Sequence, residues 1–280
     1  MKTLNTEIHK QFPKLSKADL HIHSNFSDGI PTIEEILEYV ESETDLSVIA
    51  ITDHDTIDGA LLARKLMKKK EYRFQLVLGE EVSAKEGHVV ALYIHERIAP
   101  NQSTQETIKA IHSQGGIAVA AHPLYSSRMN HRLPTPVNGV GARELIKGKL
   151  KFDGIETVNA TPMMGEENLQ AKYLNRLLLF RTEIGSSDAH ILDAIGKGYT
   201  LFEGKTKQDL KEAILEFQTQ SMHVNWGLFG VLKYAFFFMP LGFRIAFHTM
   251  VFGPSRKDPE LIKFPNRSTI KRELESSENE

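Results

Sequence analysis

From Lys17 to about Gln218 the chain alternates short apolar runs with segments of helical periodicity. The apolar runs are residues 18–23, 46–52, 74–82, 89–94, 117–122, 155–159 and 182–187. Each is short enough to be a buried strand, whereas residues 32–43, 57–70 and 104–114 space their apolar positions as an amphipathic helix does. Two helix starts are marked. Pro31-Thr32 followed by Glu35, and Ser103 followed by Glu106, read as capping boxes, and Gly115-Gly116 ends the helix that the second one opens. Strands and helices in alternation predict a mostly parallel α/β sheet, open or closed into a barrel. The barrel is preferred because the polar residues of interest gather at the ends of the apolar runs, where such barrels carry their chemistry.

Composition narrows the picture. A chain of 280 residues with 41% hydrophobic and 25% charged residues is long enough for one large domain and has the balance of an ordinary folded protein. A net charge of −2 argues against a general nucleic-acid coat and leaves a nucleotide substrate open. With no cysteine, disulfides and thiolate metal sites are excluded, so any metal is held by imidazole and carboxylate. The first 17 residues lack the apolar core of a secretory signal, so the expected location is cytoplasmic.

The composition changes near residue 220. Nine of the 23 aromatic residues lie between Trp226 and Phe252, and residues 254–272 carry six basic and two acidic side chains. Between Trp226 and Phe252 the longest uncharged run, 234–243, is ten residues, against the ~20 that a membrane-spanning helix needs. We therefore expect a barrel over 1–220 and an aromatic-rich, basic C-terminal appendage over 221–280. Residues 226–252 would cover a face of the barrel, serve as a homo-oligomer interface, or form a peripheral membrane contact that makes the protein membrane-associated.

The candidate chemistry lies at the strand ends. Asp19-Leu20-His21-Ile22-His23-Ser24 is followed by Ser27-Asp28-Gly29. Alternation along a strand turns His21 and His23 to one side, with Leu20 and Ile22 packing outward. Thr52-Asp53-His54-Asp55 follows the run ending at Ile51, Gly79-Glu80-Glu81-Val82 ends the next, and His88 opens the one after. Ala121-His122-Pro123 and Ser187-Asp188-Ala189-His190 again follow apolar runs directly. Six of the 12 histidines are placed in this way, most with a carboxylate beside them, which favours a metal centre over scattered packing histidines. Asp19, Asp53 and Asp55 are candidates to orient imidazoles, while Asp53 and Asp55 read equally well as a capped turn before the helix at Ile57. Glu156 sits at a strand end and is a candidate to line the cavity.

These motifs, in this order from Asp19 to His190, resemble the PHP family, named for polymerase and histidinol phosphatase domains. With Gly196 to Phe202 resembling the family's next strand, the likeness covers about 190 of the 280 residues. The resemblance implies a distorted (β/α)7 barrel and a metal-dependent phosphoesterase acting by metal-activated water, with two to three divalent ions (zinc, manganese or iron) at the strand C-termini. It implies that His21, His23, Glu81 and Asp188 hold the first ion, that Glu81 bridges to a second held by His88 and His122, and that Asp28, His54 and His190 hold a third. Glu81, Asp188 and His190 are the residues it places in catalysis, with Glu80 facing away from the cavity.

The expected substrate is a small phosphorylated molecule, a nucleotide or an oligonucleotide end. Relatives with an inserted helical cap carry it between positions corresponding to His88 and His122, which here are only 34 residues apart. That interval implies a more open site. Arg128, His131 and Arg132, on the stretch from Tyr125 to Gly141, are candidates to bind the substrate phosphate. Two other readings remain open from sequence: a non-catalytic metal-binding regulatory module, and a metal-dependent hydrolase of carbon–nitrogen bonds.

Overall fold

The computed structural model of the protein describes residues 15–125, 138–227, 230–232 and 234–236. Nine strands occur in it: β1 (Leu15–Asp19), β2 (Val48–Ile51), β3 (Gln75–Ser83), β4 (His88–Leu92), β5 (Ile117–Ala120), β6 (Gly154–Asn159), β7 (Thr182–Ser186), β8 (Gly198–Glu203) and β9 (Gln220–His223). Helix α1 (Ile33–Glu43) follows β1, α2 (Asp58–Met67) follows β2, and α3 (Thr104–Ser113) follows β4. Then α4 (Ala142–Ile146) follows β5, α5 (Gly165–Leu174) follows β6, and α6 (Lys207–Leu215) follows β8. Both expected capping boxes form: the Thr32 and Ser103 hydroxyls accept from the backbone N–H of Glu35 and Glu106, whose carboxylates accept from the cap backbone in return. A third, Thr206 with Asp209, opens α6.

The strands form one sheet in the order β7-β6-β5-β4-β3-β2-β1-β8-β9. The expected seven mostly parallel strands are corrected to nine in a mixed sheet, with β1–β8, β3–β4, β4–β5 and β8–β9 antiparallel. The reason lies in a short connection. Only residues 84–87 separate β3 from β4, too few for the crossover that parallel neighbours require, so β4 must return as a hairpin. This reversal matters for the site. Ser83 pairs with His88, so the first residue of β4 lies at the same end of the sheet as the last residues of its neighbours.

The sheet curls until its two edges nearly meet, and side chains join them. The Thr200 hydroxyl donates to the Gly185 carbonyl at 2.8 Å, that of Thr219 donates to the Glu183 carbonyl at 2.6 Å, and that of Thr157 donates to Ser221 Oγ at 2.7 Å. The approach is close enough that a Cβ on Gly185 or Gly198 would collide with the backbone of Tyr199 or Ser186.

Apolar residues fill two layers. Ala18, Leu20, Val48, Ala50, Val77, Val90, Leu92, Ile117 and Val119 fill the space enclosed by the sheet together with Phe202 and the buried face of α6. Ile22, Ile49, Ile51, Val89, Ala91 and Ala120 pack instead with α1, α2 and α3. Leu20 therefore points inward with Ala18, two residues before it, rather than outward with Ile22; past the end of β1 at Asp19 the alternation breaks between Leu20 and Ile22. Glu80 faces away from the cavity as expected. It is nevertheless buried, accepts from the Ile98 backbone N–H at 2.9 Å, and has its pKa pushed up to about 8 by that burial.

The sheet extends to His223, past residue 220. Of the nine clustered aromatic residues, Trp226, Tyr234 and Phe236 are described. Trp226 and Tyr234 pack against the main apolar layer, so these two belong to the barrel wall and an aromatic appendage is not supported. Phe229, Phe237, Phe238, Phe243, Phe247 and Phe252 lie outside the described residues, as do Arg128, His131 and Arg132. Among the described residues no helix is long and apolar enough to cross a membrane.

Candidate metal centre

Backbone pairing just beyond the strands brings the candidate ligands together. Ile22 bridges to Ala189, with the His23 N–H donating to the Ala189 carbonyl at 2.8 Å and the Ala189 N–H to the His21 carbonyl at 3.2 Å. That register sets the pair His21 and His23 against the pair Asp188 and His190. A second bridge joins His54 to Glu81. The turn carrying Asp28 folds back so tightly that a Cβ on Gly29 would collide with the His23 backbone, which explains the glycine of Ser27-Asp28-Gly29. His122 and Asp188 both adopt positive φ, 25° and 53°. Such a conformation is uncommon for residues with a side chain and marks places where the chain is turned sharply to aim one.

All nine predicted ligand residues meet in one cavity. His21 Nε2 and His23 Nε2 lie 3.1 and 3.3 Å from Glu81 Oε2, and His54 Nδ1 lies 3.2 Å from the same oxygen. The other oxygen, Oε1, is 2.8 Å from His88 Nδ1 and 3.0 Å from His122 Nε2. Asp188 Oδ1 is 3.1 Å from His23 Nε2 and 3.5 Å from His21 Nε2. Asp28 Oδ2 is 3.2 Å from His190 Nε2 and 3.5 Å from His54 Nε2. Three sets could each hold an ion: His23, Asp28, His54 and His190; His21, His23 and Asp188; and His54, Glu81 and His88. This grouping gives His54 to the Glu81–His88 set as well as the Asp28 set, and His122 to none, whereas the resemblance pairs His122 with His88.

Four buried imidazole nitrogens, Nε2 of His21, His23 and His88 and Nδ1 of His122, have no hydrogen-bond partner. Each such atom is unfavourable by about 1–3 kcal/mol, and four in one cavity need an explanation. For His21 and His23 the separations supply it: donors ~2.0–2.2 Å from a shared ion lie ~3.0–3.5 Å from one another, and their Nε2 atoms lie 3.1 to 3.5 Å from the Glu81 and Asp188 oxygens. His88 and His122 instead turn Nδ1 and Nε2 to Glu81 Oε1 at 2.8 and 3.0 Å, and their other ring nitrogens are the partnerless ones; the donor set as a whole fits a multinuclear centre.

The electrostatics agree. Burial opposes ionisation of Glu81 and Asp188, but the surrounding imidazoles outweigh it and hold both well below the usual carboxylate range; Asp28 is lowered in the same way. Burial likewise disfavours a charged His23, yet Asp188 and Glu81 raise its pKa to about 10. His54 goes the other way, to about 4, because burial there exceeds the pull of Glu81 and Asp28. The cavity thus presents ionised carboxylates and a set of imidazoles from which a cation could displace protons.

The supporting residues differ from expectation. Asp53 and Asp55 touch no imidazole, and neither caps α2, whose N-terminus has no side-chain cap. Asp53 accepts from the Ser24 N–H and from the Ser24 and Ser27 hydroxyls, each at 2.7 Å, and so holds the turn that bears Asp28. Asp55 accepts from the Ser83 N–H at 2.7 Å, tying the His54 loop to the end of β3. Asp19 accepts from the N–H groups of Ser187 and Gly196 at 3.0 and 2.8 Å, anchoring the loop of Asp188. These acids orient backbone because the short loops leave N–H groups that the sheet does not satisfy.

The residue that does orient an imidazole is Glu156. Its Oε1 accepts from His21 Nδ1 at 2.8 Å and from the Ser186 hydroxyl, and its Oε2 from the His122 N–H at 2.6 Å and from Asn159 Nδ2 at 3.2 Å. Asn159 also donates to Asp188 Oδ2 at 3.0 Å. Sequence reading placed Glu156 near the cavity and missed Asn159, whose only signal was its position at the end of the same apolar run.

Comparison with known proteins leads the same way. A family profile described as PHP-associated matches residues 165–219. An uncharacterised protein of Methanocaldococcus jannaschii is 36% identical over 156 residues, which span 51% of this chain and 82% of the relative. The phosphoribosyl 1,2-cyclic phosphate 1,2-diphosphodiesterase of Eggerthella lenta is 37% identical over 84 residues, 28% of this chain and 31% of that protein. In fold, the chain resembles a two-domain protein of Bacteroides vulgatus containing a predicted PHP-like metal-dependent phosphoesterase, with a TM-score of 0.55 and 21% identity. That likeness covers 75% of this chain and 65% of the other. The ligand-bearing motifs, the barrel that gathers them and the extent of the Methanocaldococcus match agree, and this chain belongs to the PHP family.

Proposed function

We propose that the protein hydrolyses a phosphate ester with two to three divalent ions held by His21, His23, Asp28, His54, Glu81, His88, His122, Asp188 and His190. The observation that carries this reading is the convergence of the partnerless Nε2 atoms of His21 and His23 with the ionised Glu81 and Asp188 carboxylates in one buried cavity. In it, His21, His23, Glu81 and Asp188 would hold one ion, Glu81 with His88 and His122 would hold a second, and Asp28, His54 and His190 would hold a third. The division of Glu81 supports the bridging role, since Oε2 faces His21 and His23 while Oε1 faces His88 and His122. Zinc, manganese and iron all suit such donors. When bound, the ions would supply Lewis acidity, polarising phosphoryl oxygens and making water a competent nucleophile near neutral pH.

The chain's own groups hold the geometry. Glu81 and Asp188 bring negative charge that offsets the ions, and Asn159 fixes the orientation of Asp188. The His190 Nδ1–H donates to the Asp188 carbonyl at 2.9 Å, which leaves Nε2 turned to Asp28. Glu156 does the same for His21, fixing the proton on Nδ1 and presenting Nε2 to the cavity.

The substrate class is a small phosphorylated molecule, a nucleotide or an oligonucleotide end, received by Arg128, His131 and Arg132. The open side supports a compact, accessible ester: Asp28 and His54 are 28% and 25% exposed. The Eggerthella relative acts, by its name, on a phosphodiester, which favours phosphorus over carbon–nitrogen chemistry. Assay of metal-loaded protein against phosphomonoesters, phosphodiesters, oligonucleotides and cyclic amides tests the reading. Turnover of at least one phosphoester is expected; turnover of amides alone, or of nothing with metals bound, would refute it.

A further inference from the structure

The chain stays on the barrel after β9 ends. Residues 227, 230–232 and 234–236 are helical, and Trp226 and Tyr234 pack on the barrel. Trp226 Nε1–H donates to the Ala160 carbonyl, just past β6, at 2.6 Å. The Trp226 ring meets that of Tyr234 nearly edge-on, with centroids 5.3 Å apart, an arrangement that aromatic pairs favour. The Tyr234 hydroxyl is hydrogen-bonded to the Thr161 side chain, and Thr161 Oγ1 is 3.5 Å from Asp188 Oδ2. Tyr234 is thus one side chain away from a proposed metal ligand. A cavity of about 720 Å³ runs along the same wall, lined by Asn159, Thr161, Met164, Trp226 and Val231 among others.

The phenol has the right chemistry for this place. Burial first, then the Asp188 and Asp28 carboxylates, hold the Tyr234 pKa above its ordinary value, so the group stays a neutral O–H donor. Among the described residues, the ion pairs inside the cluster join imidazoles to carboxylates. A lysine or arginine at this rim would be drawn to Asp28 and Asp188 and would compete with the ions for them. A phenol can donate to an anion without that competition, and hydrogen bonds to a charged acceptor are the stronger kind.

We propose that Tyr234 is a substrate-contacting residue of the metal centre, donating its hydroxyl proton in a hydrogen bond to a phosphoryl oxygen of the bound ester. Trp226 and Tyr234 would then form a working wall of the active site, with the Trp226–Ala160 bond setting its position. This inference rests on the phosphoesterase reading above, and inorganic phosphate is the probe that separates the two. Equilibrium dialysis of labelled phosphate against the metal-loaded full chain should show binding, and Tyr234→Phe, which keeps the ring and its packing, should weaken that binding about tenfold. KM for a turned-over phosphoester should rise by a similar factor, with metal content unchanged. Phosphate affinity and KM equal to those of the unsubstituted protein would overturn the role of Tyr234 alone. A fall in metal content to match the lost affinity would overturn it too, since Tyr234 would then act through Thr161 on Asp188. No phosphate binding and no phosphoester turnover by the unsubstituted, metal-loaded protein would overturn both this inference and the function.

Discussion

Glu156→Gln removes one charge from a buried side chain and keeps its shape, and the four bonds of Glu156 determine its effect. Both oxygens accept from two donors: Oε1 from His21 Nδ1 and the Ser186 hydroxyl, Oε2 from the His122 N–H and Asn159 Nδ2. A glutamine must turn its NH2 group towards one of these pairs. The His122 N–H cannot become an acceptor, and Asn159 is held in place because its carbonyl oxygen already accepts from the Thr161 N–H at 3.0 Å. The NH2 group therefore faces His21 and Ser186, where the hydroxyl can rotate and the imidazole can move its proton to Nε2. That tautomer cannot bind a metal through Nε2. Metal affinity should fall about 10- to 100-fold, the usual effect of losing a partner that orients a ligand. The metal-free variant should also be less stable by about 1.5–3 kcal/mol, the net worth of hydrogen bonds to a buried charged group. Metal retention against a graded chelator, and urea unfolding of the chelated protein, measure the two effects separately. Wild-type retention by Glu156→Gln would show that His21 is not a ligand through Nε2.

The same geometry has other consequences. His54→Ala or Asp188→Ala should lower phosphoesterase activity more than about 100-fold while circular dichroism still reports a folded barrel, because the apolar layers lie away from both side chains; full activity in both variants would remove the proposed centre. Burial disfavours a charged His23, but Asp188 and Glu81 raise its pKa to about 10, so the metal-free protein carries that proton at neutral pH. Loading must displace it, so affinity should rise between about pH 6 and 8, and calorimetry in buffers of different ionisation enthalpy should detect released protons; heats independent of the buffer would contradict this. Gly198→Ala places a Cβ against the Ser186 carbonyl at the barrel closure and should lower stability by about 1–3 kcal/mol, and an unchanged urea midpoint would show that the closure can yield.

Sequence made the ligands legible for a physical reason: the polar clusters lie at the ends of apolar runs, His88 at the start of one, and strand ends are where a buried sheet can present them. The capped helices were legible because Thr32 with Glu35, and Ser103 with Glu106, satisfy backbone donors locally. Other features depend on tertiary geometry. The reversal of β4 comes from a four-residue connection, residues 84–87, whose length is visible in the sequence but whose effect on sheet direction depends on the pairing of β3 with β4. β9 (Gln220–His223) has only one buried residue, Ser221, so no apolar run announces it. The aim of His122 and Asp188 depends on positive φ, which side-chain alternation does not encode. Asp53 and Asp55 look like partners for imidazoles in the motif, yet they bond backbone N–H groups from distant turns. Trp226 and Tyr234 likewise read as members of an aromatic tail until their contacts with Ala160 and Thr161 are seen.

The central claim is that the cavity of Glu81 and its imidazoles is a metal centre that works on phosphate esters. The most direct test is elemental analysis of gently purified protein, paired with phosphoesterase activity before metal removal, after it and after restoration. Two to three zinc, manganese or iron ions per chain are expected, with activity lost as they are stripped and recovered when they return. Full activity in a preparation free of metal would contradict the claim.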